Sequence, residues 1–352
     1  MRKALLSAVL AATVSLSSAA AQASEPLAHW PAAARERIEA VIAGAPGGSY
    51  AVFDADNTIW QHDLEESLLP FMEARGELSP ETLDPSLKPI PMRPGESLYG
   101  YYLRLCEIDD NVCYPWIAQV FSGHSLGQLK HDVDALMASD APVPVRYEDH
   151  GKTVTGTVER PHIFAAQREL IAALKAKGIH VYVVTAASEE LARMVLSDPR
   201  YGIGIAPQDV IGVTMLLRDP QDGSVTTARK QIAEGHFLDT VYPMAKHMRM
   251  VMTPTLWAPN TWYQGKVAGI RTYIDPVKPP LLVAGDSPSD WAMLFQASAL
   301  RIWVNRSAAK TARLEKTKAA RAQEEAQLSA PPALGAEQGW VTVTQPQLAP
   351  GN

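Results

Sequence analysis

Four short, almost wholly apolar runs constrain this chain more than any other feature. Tyr50 to Phe53, His180 to Val184, Leu281 to Ala284 and Leu300 to Val304 are too short for helices and lack polar alternation. Such runs need apolar cover on both faces, as in a parallel sheet flanked by helices. Helical spacing separates them. It runs over residues 28–43, over Pro161 to Lys177 with Gly178 as a stop, over Ser188 to Leu196, and over Lys266 to Tyr273. Val210 to Leu217 reads as a further strand, and Asp222-Gly223 as a hairpin turn after it. The pattern predicts an α/β fold with a Rossmann-like parallel sheet.

Residues 62–178 hold the first two runs apart. They carry amphipathic helical patterns over Leu64 to Arg75, Ser97 to Cys106 and Leu126 to Met137, joined by Pro-rich links. The expected organisation is a core of residues 24–61 and 179–352 with a mostly helical insertion at 62–178. Beyond Val304, Ser307 to Gln327 reads as an exposed helix, Pro331-Pro332 as its end, and Trp340 to Val343 as an edge strand. Residues 1–23 read as a secretory signal: Arg2 and Lys3, an apolar run from Ala4 to Leu16, then Ala21-Gln22-Ala23. Cleavage is expected after Ala23, with a periplasmic or secreted product and no membrane anchor. In an oxidising compartment the two cysteines, Cys106 and Cys113, are expected to pair as a disulfide; two buried free thiols are the alternative. The net charge of −6 argues against a nucleic-acid partner.

Chemistry gathers at the strand ends, where open parallel sheets bind ligands. Asp54 and Asp56, one residue apart, follow the first strand and precede Thr58. One carboxylate can attack phosphorus and the other can protonate a leaving alcohol and then activate water. Two carboxylates beside a phosphate dianion call for a divalent cation, and oxygen ligands suit Mg²⁺. Thr185 ends the second strand and opens Thr185-Ala186-Ala187-Ser188, whose hydroxyl and amides can hold a phosphoryl oxygen. Lys266 can neutralise charge on Asp54 and on the phosphoryl group. Gly285-Asp286 follows the third strand. Asp286 is the natural second metal carboxylate, and Asp290 is expected to anchor either the metal's water shell or Lys266.

Asp54-X-Asp56-X-Thr58, Thr185, Lys266 and Gly285-Asp286-X-X-X-Asp290, in that order, resemble the haloacid dehalogenase superfamily of phosphatases. The resemblance implies a cap between the first two motifs, and 131 positions separate Asp54 from Thr185. It implies that Asp54 is the nucleophile and Asp56 the general acid and base. Asp54, Asp286 and the Asp56 carbonyl would bind Mg²⁺, with Asp290 beside them. Thr185 and Lys266 would hold the phosphoryl group, with Thr58 and Ala186 as further contacts.

The run DNTIWQHDLEE in an exported chain is similar to the bacterial phosphorylcholine phosphatases. That likeness implies an ammonium-bearing phosphoester, with Glu66 and Glu107 binding the trimethylammonium head and Trp60 as the first aromatic candidate. Acids and aromatic faces together suit such a cation. From the helical pattern alone, Leu64, Leu68 and Leu69 put Glu65 and Glu66 on the opposite face, open equally to solvent or to a ligand. Another small phosphoester, a phosphoserine-like or broad acid phosphatase, and an inactive amine-binding protein are the alternatives. Dehalogenation would not need Asp56.

Overall fold

A computed structural model describes residues 27–235 and 244–349. The signal-peptide expectation lies outside the described residues. The helix expected over 28–43 forms as α1 (Ala32–Ala43), and the first apolar run is β1 (Tyr50–Phe53), buried at every position. A short β2 (Trp60–Gln61) leads into α2 (Leu64–Ala74), α3 (Leu98–Ile108), α4 (Asp110–Gln119) and α5 (Leu126–Met137). Then come a hairpin of β3 (Val143–Asp149) and β4 (Lys152–Val158), and β5 (His162–Ile163), which pairs with β2. The chain continues through α6 (Ala165–Ala176), β6 (His180–Ser188), α7 (Glu189–Leu196), β7 (Val210–Arg218), β8 (Val225–Thr226), α8 (Ala228–Ala233), α9 (Ala245–Met248) and β9 (Val251–Trp257). It ends in α10 (Gln264–Tyr273), β10 (Leu282–Gly285), α11 (Trp291–Leu294), β11 (Leu300–Asn305), α12 (Ala308–Glu325), β12 (Trp340–Thr344) and α13 (Gln345–Leu348).

The main sheet runs β12-β11-β10-β1-β6-β7, all parallel, with β8 and β9 antiparallel to β7. Strand β1 alternates between two apolar layers. Ala51 and Phe53 face one core cluster, and Tyr50 and Val52 the other. That double cover is why the run reads as continuously apolar. From β1 the chain first adds β6 and β7 on one side, then β10, β11 and β12 on the other. The carboxyl end of β1 is therefore a switch point, the usual position for a ligand crevice.

Two features of residues 62–178 differ from expectation. The β3–β4 hairpin adds strand to a stretch read as helical, and α4 was not foreseen. Cys106 at the end of α3 and Cys113 in α4 form the expected disulfide. The tail is packed into the fold. Buried Arg301 donates to the carbonyls of Leu294, Leu334, Gly335 and Gln338, which seats the segment leading to β12. Among the described residues, no helix is long and apolar enough to cross a membrane.

Candidate active site

The site starts where β1 ends. The Asp54 amide donates to the Ala284 carbonyl, extending the β1–β10 register to the first carboxylate. The chain then turns on itself: Thr58, Ile59 and Trp60 amides all donate to the Ala55 carbonyl. Asn57 takes the left-handed conformation (φ 60°) that Asn tolerates at such a tip. This tight turn places Asp56 under the start of α2. Its Oδ1 accepts from the Leu64 amide at 2.9 Å and from the Trp60 indole at 2.7 Å. Asp63 caps α2, accepting from the Glu65 and Glu66 amides.

Lys266 comes in from the first turn of α10. It is buried, and its Nζ lies 2.6 Å from Asp54 Oδ1 and 2.6 Å from Asp290 Oδ1. The lead-in is tightly built. A side chain at Gly265 would place its Cβ 1.7 Å from the Asn260 carbonyl oxygen, so only glycine fits beside Lys266. Tyr263 is held at φ 51°, a strained value for a tyrosine. Its hydroxyl donates to Asp110 on α4 and its ring stacks on Tyr114. From the neighbouring strands, Thr185 is buried at the bend of β6, and Asp286 follows β10 directly. Asp290 Oδ2 accepts the Asp286 and Ser287 amides.

These residues surround a cavity of about 150 Å³. Asp54, Asp56, Thr185, Ala186, Lys266 and Asp286 line it together with Asp63, Glu65 and Glu66 from the start of α2, Tyr102 from α3 and Tyr114 from α4. Glu65 is 2% exposed and accepts the Ser188 amide, which ties α2 to the bend of β6. Glu66 accepts the Tyr102 hydroxyl at 2.9 Å. The helical pattern left these two acids open to solvent or ligand, and the fold turns both toward the cavity.

Several expected contacts sit elsewhere. Trp60 is fully buried and stands behind Asp56 as its hydrogen-bond donor, not among the cavity-lining residues. Glu107 is exposed and away from the cavity, because the buried face of α3 is set by Leu98, Tyr101, Tyr102 and Leu105. Thr58 is fully buried and points its hydroxyl at Asp286 Oδ1, 3.4 Å away. Both oxygens of Asp290 are engaged by Lys266 and the two amides, which favours the lysine-anchoring alternative over metal ligation. Lining residues given no role from the sequence include Ile117, Tyr114 and Arg306. Tyr114 lies in the unforeseen α4. Arg306 follows β11, the one apolar run at whose end no functional group was sought; its Nε is 2.6 Å from Asp286 Oδ2.

The carboxyl groups are electrostatically unlike. Burial, opposed by Lys266, brings Asp54 to about 6. Burial and Asp63 push Asp56 well above the usual carboxylate range. Burial and Glu66 bring Asp63 to about 7. Burial also raises Glu65 and Asp286 strongly. Burial alone would depress Lys266, but Asp290 and Asp54 outweigh it and the amine is held firmly charged. Oxygen atoms of Asp54, Asp286 and Asp290 lie within 4.8 Å of one another. With Asp290 taken up by Lys266 and two amides, Asp54 and Asp286 remain as buried oxygen donors that fit a hard divalent cation.

A phosphorylcholine phosphatase from Pseudomonas aeruginosa is 49% identical over 347 residues, covering 96% of this chain and 97% of that protein. This chain belongs to the phosphorylcholine phosphatase family. As a member it is a phosphoric monoester hydrolase. No family model matches the sequence. Among solved structures, a conserved protein of unknown function from Anaerococcus prevotii matches at a TM-score of 0.56 with 16% identity, over 92% of this chain and 97% of its own. That likeness concerns the fold alone. A HAD family hydrolase from Salmonella enterica matches at a TM-score of 0.38 with 11% identity, over 73% of this chain and 63% of its own. In this phosphorylcholine phosphatase family member the motif residues Asp54, Asp56, Thr185, Lys266 and Asp286 meet at one cavity.

Proposed function

We propose that this chain hydrolyses phosphocholine to choline and phosphate through an acyl phosphate on Asp54. The observation that carries the reading is the mixed lining of the cavity. Asp54, Lys266 and Thr185 share it with Glu65, Glu66, Tyr102 and Tyr114. Acidic and aromatic groups suit a trimethylammonium head. A cavity that would welcome a second anion, as in phosphoserine, would need cations in place of those acids.

In the first step a carboxylate oxygen of Asp54 forms a bond to phosphorus as the phosphorus–choline oxygen bond breaks. Its position near 6 leaves Asp54 ionised at neutral pH. Asp56, raised by burial, keeps its proton for the leaving oxygen. Trp60 and Leu64 occupy Oδ1 and leave Oδ2 to carry that proton. In the second step the Asp56 carboxylate takes a proton from water, the water oxygen bonds to phosphorus, and the bond to Asp54 breaks. Lys266 screens the charge on Asp54 throughout, and Thr185 and Ala186 line the same cavity for the phosphoryl oxygens. Asp54, Asp286 and the Asp56 carbonyl are the groups to hold Mg²⁺, which would offset the repulsion between carboxylates and phosphate.

The proposal extends to organisation and place. Residues 62–178 act as a cap over a core of 24–61 and 179–352, since α2, α3 and α4 bring Glu66, Tyr102 and Tyr114 to the cavity that Asp54, Thr185 and Asp286 reach from the strand ends. The leader at 1–23 and the Cys106–Cys113 disulfide fit an exported protein.

The test is phosphate release from phosphocholine, phosphoethanolamine, phosphoserine and an aryl phosphate, with Mg²⁺ and with chelator, for wild type and Glu66→Gln. Wild type should prefer phosphocholine, and only with metal. Glu66→Gln should lose about 10–100-fold in kcat/KM on phosphocholine, from an ion pair of ~1.4–2.8 kcal/mol in a partly screened pocket. The aryl phosphate should change less than about threefold. Equal loss on both substrates would remove Glu66 from the ammonium site.

A further inference from the structure

We infer that Arg306 occupies the place of the cation at Asp286 in the metal-free enzyme and must yield that place when the cation binds. The inference rests on the reading of Asp286 as a cation ligand. The neighbouring carboxylates already have donors. Asp54 Oδ1 and Asp290 Oδ1 both receive Lys266, and Asp290 Oδ2 receives two backbone amides. Asp286 differs. Its residue is 1% exposed, Thr58 approaches its Oδ1, and its Oδ2 has no aligned hydrogen bond among the described residues. A buried carboxylate oxygen without a donor is costly unless a charge lies against it. The charge there is the Arg306 guanidinium, with Nε at 2.6 Å but out of line for a hydrogen bond. The contact is Coulombic, as a cation's would be.

The arginine is built to leave. Its side chain is 31% exposed, so the guanidinium can turn to solvent once a cation takes its place at Asp286. It sits between β11 and α12, where Ser307 caps the helix. Lys310 in the first turn of α12 is close enough for the two positive groups to act on each other. Arg306 and Lys310 thus place positive charge at the edge of the cavity, against a dication. Such opposition weakens cation binding without touching the ligands, and it makes the metal-free site tolerable by pairing Asp286.

The experiment is calorimetric titration of Mg²⁺ into chelator-treated protein, for wild type, Arg306→Gln, Arg306→Lys and Asp286→Asn, with thermal denaturation of each metal-free protein. Arg306→Gln should bind Mg²⁺ about tenfold more tightly, ~1.4 kcal/mol, and melt lower without metal. Arg306→Lys should fall between the two. Weaker or unchanged binding in Arg306→Gln would overturn the inference, weaker binding making Arg306 a support for Asp286 instead of a competitor. The underlying reading fails separately: it falls if Asp286→Asn binds Mg²⁺ as wild type does, whatever Arg306 does.

Discussion

Replacing Trp60 with phenylalanine separates two roles that a tryptophan beside an active site can have. If its indole held the choline head, the loss would fall on phosphocholine alone. The structure instead buries Trp60 completely and aims its Nε1–H at Asp56 Oδ1, 2.7 Å away. A hydrogen bond to an ionised group contributes about 1.5–3 kcal/mol. The Leu64 amide still holds the same oxygen, so part of that survives. A loss of ~1.4 kcal/mol predicts kcat about tenfold lower. The drop should be equal for phosphocholine and an aryl phosphate, with KM for both nearly unchanged. Trp60 also draws the Asp56 proton affinity down. Without it the carboxylate needed for the water step appears only at higher pH, so the rise of kcat with pH should move upward. Removing the larger ring should cost about 1–2 kcal/mol of stability. Steady-state kinetics of both substrates from pH 5 to 9 is the assay. A raised KM for phosphocholine with untouched aryl phosphate turnover would refute the reasoning and return Trp60 to the ammonium site.

Two further outcomes are expected. Asp54 at about 6 and Asp63 at about 7 bind protons more tightly folded than unfolded, so they oppose folding as pH rises from about 4 through 7. Chelated protein should therefore melt roughly 5 °C higher at pH 5 than at pH 7.5, and saturating Mg²⁺ should shrink that difference. Below pH 4.5 Glu190, depressed to about 2 by Arg193 and His247 against its burial, begins to lose its contribution, so a maximum near pH 5 is expected. A chelated melting temperature that rises with pH over 5–7.5 would contradict this. Opening the Cys106–Cys113 bridge, with its sequence separation of 7, should cost about 2.5 kcal/mol. Because Tyr114 directly follows Cys113, the Cys106→Ser/Cys113→Ser protein should show a higher KM for phosphocholine as well as a lower melting temperature. Melting curves and kinetics with and without reductant check this, and an unchanged KM would detach the bridge from the site.

The sheet was legible because its central strands are buried on both faces, so β1 and β10 carry no polar residue to confuse the pattern. Residues at those strand ends could be placed with little ambiguity, and Asp54, Thr185 and Asp286 stand where the runs end. The β3–β4 hairpin carried a signal that was passed over: Val143, Val145 and Tyr147 alternate with exposed Pro144, Arg146 and Glu148, and His150-Gly151 supplies a turn with two positive φ angles. Helix α4 escaped because Pro115 lies inside it and its apolar face is weak. Trp60 shows the limit of composition. An aromatic residue near a motif carries no mark of whether its ring or its N–H does the work. Glu107 fails for a simpler reason, since five residues past Tyr102 lies round the helix from the buried face. Arg306 could have been found by asking of β11 the question asked of the other strands.

The tail also closes the turn that follows β1. Gln345 at the start of α13 donates its side-chain amide to Asn57 Oδ1 at 3.2 Å, across 288 positions of chain. Arg37 of α1 likewise donates to the Trp340 carbonyl on the edge strand. A growing polypeptide emerges with Asp54 and Asp56 long before Gln345, so the turn that bears both carboxylates lacks this brace until position 345 has been made. A message cut short after Lys310 would encode every residue the proposed chemistry names, yet its product would lack the strand and the glutamine that brace the turn bearing Asp54 and Asp56.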